Sequence, residues 1–178
     1  MQWVTREHLH MDRVATPWLI QRFIDPDAEF LFLPFAPPHA VPDGAIAFGI
    51  PGVGLGAHDE TGSAFSKVMR HYGVANPALE RLAEILESGI LFAHARLGRG
   101  EASPPLPRIE GAGLDVISLG MGHLALDDTD NLVRSRLIYD ALYEYCRAAI
   151  YLENNPQIAA IRPPEQWAYV RAALREAV

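Results

Sequence analysis

The stretch His10-Met-Asp-Arg-Val-Ala-Thr-Pro-Trp-Leu-Ile-Gln-Arg-Phe-Ile-Asp-Pro-Asp-Ala-Glu-Phe30 decides how this chain begins to fold. It sets His10, Asp12, Arg13, Arg22, Asp25, Asp27 and Glu29 around a short apolar core, Trp18-Leu-Ile and Phe23-Ile. Upstream, Gln2-Trp-Val-Thr-Arg reads as a short strand, which places His10 and Asp12 where that strand ends. Alternate side chains of an extended backbone point the same way, so an imidazole and a carboxylate two residues apart can face one cation there. Thr16 then reads as a helix N-cap and Pro17 as the first helical residue, where its missing N–H costs nothing. That helix is expected to stop before Pro26, because the residue preceding a proline is pushed out of helical geometry.

Outward from this segment, strands are expected at Trp3 to Thr5, Glu29 to Leu33 and Ala45 to Phe48, each bounded by Pro or Gly. Pro34 to Gly44 holds four of the chain's fourteen prolines and reads as a surface loop. Helices are expected at Ser63 to Tyr72 and at Pro77 to Ser88, the latter capped by Asn76, with Leu91 to Arg96 as a possible extension. Gly98 to Pro107 is a Gly/Pro-rich loop. Ile109 to Leu124 reads as a helix despite Gly111, Gly113, Gly120 and Gly122. Each interior glycine weakens a helix by about 1 kcal/mol, so close packing must compensate. Asp127-Asp-Thr-Asp130 is a dense N-cap signal ahead of a helix from Asn131 to Leu152, and a last helix spans Pro164 to Ala177. The expected architecture is α+β: a mostly helical single domain, residues 1–178, with a sheet of about three short strands.

The bulk numbers suit a soluble globular domain, with 49% apolar and 21% charged residues. No apolar run approaches the ~20 residues that span a bilayer, and Met1-Gln-Trp-Val-Thr-Arg-Glu lacks the apolar core of a secretory signal, so a cytoplasmic address and no membrane partner are expected. The formal charge of −7 opposes nucleic-acid binding, which draws on Lys and Arg to neutralise phosphates, and no extension suited to reading DNA is expected. The one cysteine, Cys146, excludes an internal disulfide and reads as a buried, inert thiol.

The opening motif, His-x-Asp-Arg-x-Ala-x-Pro-Trp-Leu-Ile-x-Arg-Phe-Ile-Asp-Pro-x-Ala-Glu-Phe, resembles the signature of the chromate-resistance protein family, whose domain usually forms the C-terminal half of the chromate-responsive regulator ChrB. The resemblance continues through Ile50-Pro-Gly-Val-Gly-Leu-Gly, His58, Tyr72-Gly, Glu110-Gly-Ala-Gly-Leu114, Asp127-Asp128 and Tyr139-Asp-Ala-Leu-Tyr143 to Cys146-Arg147. It implies a sensor or resistance domain that binds a metal ion or chromate.

A divalent-metal site, for zinc, manganese or iron, is the sharpest chemical expectation: His10, His58 and Glu110, with Asp12 and Asp128 in reserve. No local spacing motif joins them; each falls in a family-like segment. The competing reading has His10 and His58 simply hydrogen-bonding loop backbone. His123, after the glycine-rich helix, can point into a pocket. Arg13 and Arg22 can clamp an oxyanion through paired N–H groups, or form ion pairs with Asp12, Asp25 or Asp27. Asp127, Asp128 and Asp130 read as helix caps rather than a calcium loop. Asp140, flanked by Tyr139 and Tyr143, suggests a polar face in an aromatic space, or a surface acid paired with Arg136 or Arg147. Gly52-Val-Gly-Leu-Gly56 opens no helix and is rejected as a dinucleotide loop.

Two functions are carried forward. One is a metal-dependent lyase or hydrolase acting on a small oxygen-rich or phenolic molecule, with Asp12 or Asp140 as base and Arg13 and Tyr139 orienting substrate. The alternative is a non-catalytic metal- or chromate-binding sensor. Long apolar helix faces leave room for a homodimer.

Overall fold

The computed structural model describes residues 1–74, 76–99 and 101–176. In chain order the elements are β1 (Gln2–Arg6), α1 (Asp12–Phe23), β2 (Glu29–Leu33), β3 (Ile46–Ala47), α2 (Ala64–His71), α3 (Pro77–Arg96), α4 (Glu110–Leu124), α5 (Asp128–Asn154), α6 (Pro156–Ala159) and α7 (Pro163–Glu176). This is the mostly helical α+β arrangement that the sequence predicts. The strands form a parallel sheet in the order β2-β1-β3, with Trp3 paired to Phe30 on one side and Ile46 on the other. Trp3, Val4 and Thr5 are fully buried, as befits the central strand of a parallel sheet. Among the described residues no helix is long and apolar enough to cross a membrane.

The first helix differs from its expected start. It begins at Asp12, so Thr16 and Pro17 lie inside it. Thr16 instead donates its hydroxyl to the Asp12 carbonyl at 2.8 Å. Local cap chemistry was outweighed by distant partners. Met11 N–H donates to Ser118 Oγ at 2.6 Å, and Tyr139 donates its hydroxyl to the Met11 carbonyl at 2.8 Å. The helix does end as expected, with Ile24 as C-cap ahead of Pro26.

Asp12 is a buried joint between helices. Its carboxylate accepts the N–H groups of Ala64 and Phe65, each at 3.0 Å, at the start of α2. Ser63 Oγ takes the next, from Ser66, at 3.2 Å. The unsatisfied donors of a helix N-terminus are thereby met, two of them by a residue from another helix.

α3 runs on through the stretch left open in the sequence, to Arg96, and lies against α4 and α5. Gly111 explains itself here. A Cβ on it would stand 2.4 Å from Gly89 N and 2.5 Å from Ile85 O, so the two backbones touch. At the start of α5, Asp127 Oδ1 accepts Asp130 N–H at 2.8 Å, the expected cap. β3 is two residues shorter than expected, and Phe48 bridges to Leu55 instead. α6 was not anticipated. The expected last residue of the C-terminal helix, Ala177, lies outside the described residues.

Removing the Asp12 carboxylate should leave two buried N–H groups without acceptors. Urea unfolding of Asp12→Ala is expected to show a loss of about 2–4 kcal/mol with the m-value unchanged. A loss below ~1 kcal/mol would mean that water reaches the α2 terminus.

Candidate functional site

The turn between β1 and α1 is where the opening motif acquires its geometry. His8 and Met11 adopt positive φ, 62° and 40°, which non-glycine residues rarely tolerate. Distant polar groups hold them there. Asp128 accepts the N–H groups of His8 and Leu9, both at 2.8 Å, and Asn131 Nδ2 donates to the Leu9 carbonyl at 3.3 Å. Arg13 closes the turn from the other side, donating to the carbonyls of Arg6 (2.8 Å), Glu7 (3.0 Å) and His8 (2.8 Å). Between this turn and the junction of α4 and α5 lies a pocket of about 520 Å³, lined by His8, His10, Ser118, His123 and Asn131 among others.

His10 faces Asp115, a fully buried acid, with Nε2 3.1 Å from Oδ1. Arg96 Nε holds the other carboxylate oxygen at 3.0 Å. Burial pulls the His10 imidazole below its ordinary range, against the opposite pull of Asp115. His58 forms a second imidazole–carboxylate pair, with Nε2 2.9 Å from Glu87 Oε2, and its ring centroid lies 5.9 Å from that of His94. Burial would raise the Glu87 carboxyl, but hydrogen bonds from His58 and Ser63 outweigh it and hold it at about 2. The same hydrogen bond to Glu87 raises His58.

The expected ligands are not brought together. His10 meets Asp115, His58 meets Glu87, and Asp128 binds the His8–Leu9 backbone. Glu110 accepts the Tyr145 hydroxyl at 2.5 Å on the exposed side of α5. Among the described residues, no three His, Cys, Asp or Glu side chains are placed to hold a metal ion. The residues present do not fit the expected site. His10 and Asp12 fail to share a cation because α1 has already begun at Asp12, and a helix sends neighbouring side chains to different faces.

The expected catalytic groups are likewise occupied. Asp12 caps α2, and burial raises its carboxyl. Tyr139 is buried with its hydroxyl on the Met11 carbonyl, and burial pushes the phenol well above its usual value. Asp140 forms an ion pair with Arg22 and accepts Trp18 Nε1–H at 2.9 Å; Arg136 stands 4.0 Å away, while Arg147 pairs with Glu144. Cys146 is fully buried, its thiol pushed up to about 11 by burial.

Arg6, which sequence reasoning passed over, completes a different constellation. Arg22, Arg81, Arg96, Arg108 and Arg147 each meet a carboxylate. Among the described residues, Arg6 and Arg13 meet none, although both are half-buried. Burial, then the neighbouring Arg6 charge, lowers Arg13 to about 10. Arg6 Nε and Thr5 Oγ1 are buried with no hydrogen-bond partner among the described residues. Arg13 and Thr5 meet at Gly49, whose Cβ would stand 2.9 Å from Arg13 Cγ and 3.4 Å from Thr5 Oγ1, while Arg6 ends the central strand beside them. The sequence signal was faint: one arginine closing an otherwise uncharged strand. Asp115 had a clearer one, an acid inside the apolar stretch Leu114 to Leu119.

A mostly helical domain built on a three-stranded parallel sheet, with its motif residues tying together a strained turn, is the class of protein that the geometry defines. Residues 3–146 match the family model described as ChrB, C-terminal domain, and the chain belongs to that family. It is 38% identical over 86 residues to Protein ChrB of Cupriavidus metallidurans, a match covering 48% of this chain and 26% of that relative. The chain thus aligns with about a quarter of the relative's length. No solved structure matches. The family match contradicts the expectation of a metal-dependent lyase or hydrolase and favours the alternative, a non-catalytic metal- or chromate-binding domain.

The His58–Glu87 pair predicts a pH window. A depressed carboxylate adds stability above its unfolded value and loses it as pH falls through the folded one; a raised imidazole adds stability below its unfolded value and loses it as pH rises through the folded one. The Tm difference between wild type and Glu87→Gln should therefore be largest between about pH 4.5 and 6.5, shrinking on both sides. A difference independent of pH would contradict the pair.

Proposed function

We propose that this chain is a non-catalytic sensing domain for a chromate-type oxyanion, and that the anion is received by Arg6 and Arg13 at the carboxyl end of β1. The observation that carries this reading is the pair of half-buried guanidinium groups with no carboxylate partner among the described residues. Two like charges near each other in a partly desolvated site raise the demand for a counter-anion. A tetrahedral dianion meets that demand, accepting from Arg6 Nε and from the Thr5 hydroxyl as well as from guanidinium forks.

Position supports the reading too. In parallel sheets ligands gather outside the carboxyl ends of the strands, where the chain order reverses. Here β1 is central, with β2 and β3 on opposite sides, so that point lies beside Thr5, Arg6 and Gly49. Phe35 covers Arg6, with the guanidinium carbon 4.8 Å from the ring centroid, and its N–H is held by Glu7 at 2.9 Å. An anion drawing on Arg6 would disturb this contact and the turn beyond it, which gives a sensor its readout. On this reading the domain works in the cytoplasm, and its formal charge of −7 leaves DNA contact to other surfaces of a regulator.

Calorimetric titration with chromate, sulfate, phosphate and chloride tests the assignment. Chromate is expected to bind, with affinity falling at least ~10-fold in Arg6→Gln while the circular dichroism spectrum is unchanged. Binding that survives Arg6→Gln intact, or chromate binding no tighter than chloride, would sink it.

A further inference from the structure

The outer faces of α4 and of α5 each carry apolar side chains that the described residues leave exposed. At the N-cap of α4 and along it, Ile109, Val116, Ile117 and Leu124 are between 50% and 79% exposed, although Leu114, Asp115 and Ser118 on the opposite face are buried. The α4–α5 connection and α5 add Leu126 at 87%, Val133 at 70% and Leu137 at 75%. Together the seven side chains expose apolar area on the order of 800 Å², comparable to what each partner contributes to a standard interface.

The glycines of α4 point to the same face. Gly111 is explained by the α3 backbone against it, but a Cβ on Gly113 or Gly120 would meet nothing within 4 Å. Both positions share the exposed stripe with Ile109, Val116, Ile117 and Leu124, at the 3.6-residue period of a helix. A glycine inside a helix weakens it, and among the described residues neither position gains a close contact in return. What they offer is room for something from outside.

The stripe reads the same from both ends. Taken outward from the midpoint between Val116 and Ile117, its members are Val116 and Ile117, then Gly113 and Gly120, then Ile109 and Leu124. A two-fold axis requires each residue i to meet j while j meets i. Two copies of α4 crossing antiparallel about that midpoint satisfy the requirement at every step. Val116 meets the partner's Ile117, Gly113 meets the partner's Gly120, and Ile109 meets the partner's Leu124. The two central side chains of each copy then enter the hollows beside the partner's glycines, alternating large with small as packed interfaces do. Between Glu110 and Asp127 the only charged side chain is Asp115, which is buried, so α4 crossing its own copy brings no like charges of α4 together.

We propose that α4 and α5 form a homodimer interface, with α4 crossing its own copy antiparallel about the midpoint between Val116 and Ile117. The fold and the register can be tested separately. Sedimentation equilibrium should show a dimer at about 10 µM, and Ile117→Glu should render the chain monomeric with unchanged circular dichroism, since that side chain is exposed in the single copy. In mild oxidant, Ile117→Cys should cross-link to itself near the axis. Ile109→Cys should not, because its two copies stand about 22 Å apart along the helices. Ile109→Cys mixed with Leu124→Cys should cross-link. A chain monomeric to about 100 µM would overturn the proposal and assign the face to a different protein partner. A dimer untouched by Ile117→Glu, or self-linking through Ile109→Cys, would overturn the register and with it the proposal.

Discussion

The turn from Glu7 to Met11 cannot exist without the helices that follow it by more than a hundred residues. Two of its residues sit at positive φ, at a cost of roughly 1–3 kcal/mol each, and much of its backbone is removed from water. Buried N–H and C=O groups must find partners. Those partners are Ser118 on α4, Asp128, Asn131 and Tyr139 on α5, and Arg13 on α1. The turn is therefore the point at which sheet and helical layer are fastened together, and the motif residues around it serve that fastening.

The same fastening occupies many of the residues that carry acid–base groups. Asp12, Asp115, Asp128 and Tyr139 are each held by two or more polar partners or buried at full depth. The backbone N–H groups that Asp12 and Asp128 accept fix the orientation of both carboxylates and commit them to the fold. Arg6 and Arg13 are the exception. Among the described residues no carboxylate stands within ion-pair distance of either, although Asp12 and Asp128 attract Arg13 from farther away, and the proposed anion site rests on that imbalance.

Some of this was legible in the residues. Asn76 before Pro77 and Asp127 before α5 cap as their sequences suggest, with bonds to Leu79 and Asp130, while Ser63, expected as a first helical residue, caps α2 through Ser66. The opening motif pointed to the right family. The same motif misled on chemistry: Thr16 and Pro17 carry a good helix-start signal, yet α1 starts earlier because Ser118 and Tyr139 secure Met11. Gly111 could be predicted to pack closely, but not against which backbone.

By itself the sequence determined the class of fold, the helix ends capped by their own neighbours, and the apolar stripe of α4. Each depends on groups within a few residues, whose geometry the backbone period sets. Only the tertiary structure decided which partner each ionisable group takes. Ser63 and Glu87 are 24 residues apart, and His8 and Asp128 are 120 apart. At such separations the pairing follows from how the helices pack on one another and not from any spacing along the chain. Whether an acid becomes a cap, a ligand or a base is settled there, by the donors that burial brings within reach.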